Sequence, residues 1–236
     1  MSINLSVKRI VCTLTLGTAL SIPGFADLVS VTPGSAGALP GTALDLSADL
    51  SLTDITGTLD APNGVAMFLI DIASPLSFAA ETVPVGAFGV PDTELFLFDL
   101  SGNGVYSNDD KSGLDTLSCL PAFYANATPS DCPSSSSSSG PVAPGNYYLA
   151  ITRSANSPRD FLNSYIFSPL LSTDVVGPNG GVGPIDNWDD GSFTSPDTDL
   201  INYHIVLSQV PEPAAWPVIA ALGLALLVFR RRLRTT

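Results

Sequence analysis

The chain has 236 residues, 45% of them apolar, with 22 acidic residues against 9 basic ones. Its formal net charge of −13 argues against nucleic acid or an anionic lipid surface as a partner. One histidine and three cysteines supply too few ligands for the usual zinc sites.

Lys8 and Arg9 precede an eleven-residue apolar stretch, Ile10 to Leu20, and small residues follow at Gly24-Phe25-Ala26. This order predicts a secretory signal peptide over residues 1–26, cut after Ala26 by signal peptidase. Cys12 lies inside the apolar run and follows Arg9-Ile10-Val11, without the small residue that a lipoprotein signal places before its cysteine. Residues 27–209 then form the exported part, long enough for one domain with a sizeable core. Between 27 and 210 only Lys111, Arg153 and Arg159 are basic, against twenty-one acids, a formal charge of −18. Such charge keeps an exported protein soluble and offers oxygen ligands to divalent cations.

Along this part the apolar residues repeat every second position. Leu44, Leu46, Ala48, Leu50 and Leu52 alternate with Asp45, Ser47, Asp49 and Ser51, which predicts a half-buried strand. Val65 to Ile72 predicts a strand covered in part on both faces, and Leu76 to Thr82 and Glu94 to Leu100 predict two more. In Asn146 to Thr152 one face holds Tyr147, Leu149 and Ile151. In Leu200 to Val210 one face holds Ile201, Tyr203, Ile205 and Leu207, and the other Asn202, His204, Val206 and Ser208. Proline and glycine fall between the runs, where they turn the chain without breaking a ladder. The expected fold is all-β, an antiparallel sandwich or barrel. Ser134 to Ser139 reads as a loop or small insertion, and Gly177 to Pro184 as a long surface connection without regular structure.

Once Cys12 leaves with the signal peptide, Cys119 and Cys132 remain. An even pair in an exported protein predicts a disulfide. Closing a loop of this size stabilises by about 3 kcal/mol in the chain-entropy account.

Phe68 to Ile72, Leu76 to Glu81, Asp92 to Asp99, Ser101 to Val105, Asn108 to Asp110 and Pro144 to Ile151 form a series over residues 60–152. This series is similar to the bacterial pre-peptidase C-terminal domains, and the resemblance implies a jelly-roll-like β-sandwich. The chain departs from that pattern at Asn63-Gly64-Val65-Ala66, where the family carries acidic residues. Within the series a strand should end at Asp99, turn over Gly102 to Gly104 and return. Asp99, Ser101, Asn103 and Gly104 also follow the spacing of a calcium loop, with the carbonyl of Val105 seventh and Asp110 twelfth. Calcium is thus the candidate ion here. A solvated hairpin turn is the alternative and the favoured reading, because Asn-Gly turns flanked by Asp recur without metal.

A second acidic cluster comprises Asp186, Trp188, Asp189, Asp190, Asp197 and Asp199. Trp188 either touches sugar or folds onto the sandwich, and the second is expected of an amphipathic ring. His204 falls on the strand face opposite the apolar one, and the chain holds no G-x-S-x-G nucleophile elbow. No carboxylate pair is singled out for glycoside hydrolysis, so the expectation is a protein without catalysis.

The chain closes on Pro211-Glu212-Pro213, an apolar run from Ala214 to Phe229, and Arg230-Arg231-Arg232-Leu233-Arg234. Sixteen residues at about 1.5 Å each give roughly 24 Å of helix, a short membrane span that Trp216 and the arginines extend into the interfaces. The arginines favour the cytoplasmic side, so the body lies across the membrane. This tail, over residues 210–236, resembles the PEP-CTERM sorting signal of Gram-negative surface proteins. The resemblance implies anchoring in the inner membrane and then processing by an exosortase. It also implies a place at the cell surface or in the extracellular matrix of biofilm or floc, alongside exopolysaccharide. Two further classes stay open: a calcium- or carbohydrate-binding module, and a hydrolase.

Overall fold

A computed structural model describes residues 27–59, 64–86, 91–123, 132–133, 140–168, 173–189 and 201–209. The signal peptide, the six-serine stretch and the tail helix expected from the sequence lie outside the described residues.

The described chain is all-β apart from two 3-10 turns, Pro40–Thr42 and Pro75–Ser77. Its strands are β1 (Asp27–Ser30), β2 (Leu44–Asp45), β3 (Leu52–Leu59), β4 (Val65–Ile72), β5 (Phe78–Thr82) and β6 (Thr93–Phe98). They continue as β7 (Gly104–Asn108), β8 (Cys119–Leu120), β9 (Gly145–Arg153), β10 (Pro158–Asp160), β11 (Ile185–Trp188) and β12 (Ile201–Gln209). One five-stranded sheet runs β1-β3-β12-β5-β8 and the other β2-β4-β9-β6-β7, while β10 and β11 pair separately.

From β2 to β6 the chain changes sheet at every strand, so sequence neighbours face each other across the core. Ile55, Leu59, Phe78, Tyr203, Ile205 and Leu207 of the first sheet join Phe68, Ile70, Leu95, Leu97, Leu149 and Ile151 of the second in one buried cluster. The tilted pair of Phe68 and Tyr203, with ring centroids 6.3 Å apart, spans the two layers. The alternation read in β9 and β12 supplies these residues in the expected phase.

The expected purely antiparallel arrangement needs a correction. β1 runs parallel to β3, and β2 parallel to β4. Parallel neighbours need a crossover, and each pair is joined through a strand of the opposite sheet.

The strand expected from Leu44 to Leu52 also fails after Asp45. The Asp45 carboxylate accepts the Ser47 N–H at 3.0 Å, and Asp49 accepts the Ser51 N–H at 3.0 Å. These Asx turns fold the backbone back on itself, and Leu50 is left 83% exposed. The strand that enters the core is β3 instead, which the period-two pattern hides. Its inward position between Ile55 and Leu59 is Gly57, opposite Tyr203 in the register. A Cβ on Gly57 would collide with the Tyr203 hydroxyl, so the missing side chain makes room for the ring.

The outer face of the second sheet is covered. Met67, Phe96, Phe98 and Ala150 pack under Ile166, Phe167 and Ile185, with Trp188 at the edge of this second core. Residues 177–184 hold no regular element. They are docked by the Asn179 N–H on the Ile166 carbonyl (2.7 Å) and the Gly183 N–H on Asp160 Oδ2 (3.0 Å). Strand β4 is therefore covered in part on both faces, with Met67 the buried residue of the outer one, as its apolar run suggests.

Candidate functional site

Three polar assemblies stand out, all on or beside the β6–β7 hairpin. The first is the disulfide between Cys119 and Cys132, whose Cα atoms are 5.5 Å apart. Cys119 lies on the edge strand β8 and donates its N–H to Asn108 Oδ1 at 2.8 Å, which ties β8 to β7 of the other sheet. Beside it Lys111, almost fully buried, places Nζ 2.6 Å from Glu81 Oε2. The hydroxyls of Thr82, Thr93 and Ser118 form a buried chain with steps of 2.9 Å. This edge is thus fastened by a covalent bond, an ion pair and a satisfied polar network.

The second assembly is the tip of the hairpin, where Asp99, Ser101 and Asn103 come together. Asp99 Oδ1 accepts the N–H groups of Ser101 (2.8 Å) and Asn103 (2.9 Å), and Oδ2 accepts Asn103 Nδ2 (2.9 Å). Gly102 turns the chain at φ +82°. Both Asp99 oxygens are spent on the turn itself, which is how an Asp caps a tight loop. Asp110 does not belong to this group. β6 and β7 pair from Phe98 opposite Gly104 to Leu95 opposite Asn108, so Asp110 sits at the far end of the hairpin. At about 3.4 Å per residue this separates it from Asp99 by more than a calcium coordination shell. The five-residue set of Asp99, Ser101, Asn103, Val105 and Asp110 is therefore not one site. The spacing of a helix-flanked loop misleads here because the chain between its ends is paired strand.

The third assembly is what Asp110 joins instead. Just past the last paired step, Leu95 opposite Asn108, come Glu94 on one side and Asp109 on the other, close enough for the charge of Asp109 to act on Glu94, with Asp92 and Asp110 near them in the chain. One carboxylate oxygen from each of Asp92, Asp109 and Asp110 lies within 4.8 Å of the others. The left-handed residue Ala155, at φ 64°, closes the turn after β9 and brings Ser154 to both Asp92 and Asp109. Burial, with the charge of Asp109 next, holds the Glu94 carboxyl well above the usual carboxylate range. Burial also pushes Asp109 up to about 7 and raises Asp92 and Asp110, and the charges that add to these shifts are all carboxylates. Sequence reasoning passed over this cluster because its members are split between two strands. The turn alone would have missed it: counting back from Phe98 opposite Gly104 sets Glu94 against Asn108, and the irregularity between Leu97 and Phe98 shifts the register by one residue.

The second acidic cluster of the sequence resolves differently. Trp188 meets the rings of Phe96 and Phe98 edge-on at 5.3 and 6.3 Å and donates its indole N–H to the Ala38 carbonyl at 2.6 Å. The tryptophan is folded onto the sandwich. Asp189 accepts Arg159 Nη2 (2.8 Å) and the Tyr165 hydroxyl (2.7 Å), bonds that lower its pKa, with Tyr165 the larger influence. Asp190, Asp197 and Asp199 lie outside the described residues. His204 is partly exposed and rests Nε2 2.7 Å from Asp54 Oδ1, while Asp54 Oδ2 takes the Thr53 hydroxyl. A cleft lined by Val31, Thr58, Leu59, Val65 and Tyr203 carries no carboxylate or histidine.

The sorting residues Pro211, Glu212 and Pro213 lie outside the described residues, immediately after β12. No curated protein and no solved structure matches the chain. Residues 209–232 do match the PEP-CTERM protein-sorting motif, so this exported-type chain ends in a signal that implies passage across a membrane and processing by an exosortase-type protease.

Proposed function

We propose that the chain is a non-catalytic structural or interaction protein of the Gram-negative cell surface, or of the exopolysaccharide matrix of a biofilm. Signal peptidase releases it near Asp27, the tail holds it in the inner membrane with its C-terminus cytoplasmic, and an exosortase-type protease then frees it. The observation that carries this reading is the match at residues 209–232, joined without a linker to the last strand of an acidic sandwich. The alternation of the chain between two sheets supports a jelly-roll-like wiring of the pre-peptidase C-terminal kind. Exopolysaccharide as a neighbour is what the resemblance to PEP-CTERM surface proteins implies, and the net charge of −18 over residues 27 to 210 separately disfavours nucleic acid.

Intact mass of the protein recovered from the envelope tests the sorting. The mature species should begin near Asp27 and end close to Pro211-Glu212-Pro213. A mature protein that still carries Arg230 to Arg234 would reduce the tail to a plain anchor. The alternative reading, a carbohydrate-binding module, loses its best residue because Trp188 is turned inward.

A further inference from the structure

We propose that Asp92, Asp109 and Asp110, at the end of the β6–β7 hairpin away from its turn, form a calcium site, with the Ser154 hydroxyl as an additional oxygen ligand. This goes beyond the sorting role and does not depend on it. The three carboxylates converge from two segments, with an oxygen of each within 4.8 Å of the others. Asp109 is the decisive member. Only 5% of its surface is exposed, and its Oδ1 is buried with no hydrogen-bond partner. A buried carboxylate oxygen left unpaired carries its full desolvation cost, and native proteins keep such atoms where an ion or another ligand completes them.

The surroundings sharpen the choice of ion. Like charges brought close together repel, and here Glu94, Asp92, Asp109 and Asp110 gather just past the last paired step of β6 and β7. The charges that raise these carboxyls are those of further carboxyls, Asp115 included, and a bound cation would offset them. The donors are hard oxygens without nitrogen or sulfur, which selects calcium or magnesium over the transition metals. Calcium accepts irregular arrays of six to eight oxygens, whereas magnesium demands near-octahedral geometry and keeps its waters. Asp92 is exposed, which leaves an open side for water ligands and for entry. Ala155 holds a left-handed conformation that costs an L-residue roughly 1–2 kcal/mol, and the turn it closes is the one that presents Ser154 to the cluster.

The full chain in detergent should be titrated with calcium into the millimolar range, since extracellular modules bind at about 10⁻⁴ to 10⁻³ M. Calorimetric titration should give one ion per chain, and the melting temperature should rise more with calcium than with equal magnesium. Asp109→Asn, close to isosteric, should weaken calcium binding by about tenfold or more. Asp92→Asn at the exposed position should weaken it in the same direction and covers the case in which the Asp109 variant fails to fold. Asp99→Asn, at the tip, should bind calcium as the unmodified chain does. A proton is the rival occupant. Equal melting shifts from the two ions, or calcium binding undiminished in Asp109→Asn and Asp92→Asn, would overturn the site.

Discussion

Asp109 shows how one side chain sets a pH dependence for the whole domain. Its carboxyl is raised from 3.8 to about 7, because burial disfavours the charged form. A carboxyl raised in the folded state stabilises the fold fully below its unfolded pKa, and that contribution is lost as pH climbs through the folded value. Glu94, raised in the same direction, adds to the trend. Without divalent cation, stability should therefore fall between about pH 4 and pH 7, by on the order of 2 kcal/mol once solvent screening is allowed for. Asp160 and Asp189 act in the opposite sense at lower pH. Their carboxyls are held down, Asp160 foremost by the Gly183 N–H and Asp189 foremost by Tyr165, so their contribution is lost on acidification below pH 4. Melting temperature against pH in chelator should fall toward neutrality in the unmodified chain and flatten in Asp109→Asn. An unchanged slope in that variant would place the titration on other groups. At the tip, Asp99→Ala should cost about 1 kcal/mol, because two N–H groups and one side-chain amide lose their acceptor.

At the scale of elements, the strands legible in the sequence are those whose side chains alternate without interruption. β9 and β12 place Tyr147, Leu149 and Ile151, and Tyr203, Ile205 and Leu207, into the core as their spacing requires. β3 escapes because Gly57 occupies an inward position, and the false strand before it arises because Asx turns leave no mark on apolar periodicity. The β10–β11 pair, with Phe167 and Trp188 over the second sheet, was legible only as a Trp among acids. A cover of this kind is decided by long-range packing, which no local period records. Two substitutions test these assignments by denaturant unfolding. Gly57→Val should cost roughly 1–3 kcal/mol, since the new side chain meets the Tyr203 ring and the pair must move apart. Trp188→Ala should cost about 3 kcal/mol, toward the lower end for a large aromatic because the ring is only partly buried. A Trp188→Ala protein of unchanged stability would show that the outer cover contributes nothing to the fold.

For the molecule as a whole, the position of β12 joins the fold to the sorting signal. β12 ends at Gln209, and the matched motif begins at that residue. The strand is not an appendage. It lies inside the first sheet, antiparallel to β3 on one side and to β5 on the other, and it buries Tyr203, Ile205 and Leu207. The exported domain is therefore incomplete until the last residues before the signal have crossed the membrane. With the cut proposed beside Pro211-Glu212-Pro213, the protease would act within a few residues of a central strand. A chain ending at Gln209 should fold, form the Cys119–Cys132 disulfide and melt cooperatively. A chain ending at Leu200 loses three buried side chains worth about 2–5 kcal/mol each, together with both ladders, against a total stability of about 5–15 kcal/mol. It should fail to melt cooperatively and should be degraded when exported. Thermal unfolding of the two truncations, with peptide mapping of the disulfide, separates the outcomes. A Leu200 truncation that melts like the Gln209 one would show that β12 belongs to the tail and not to the fold.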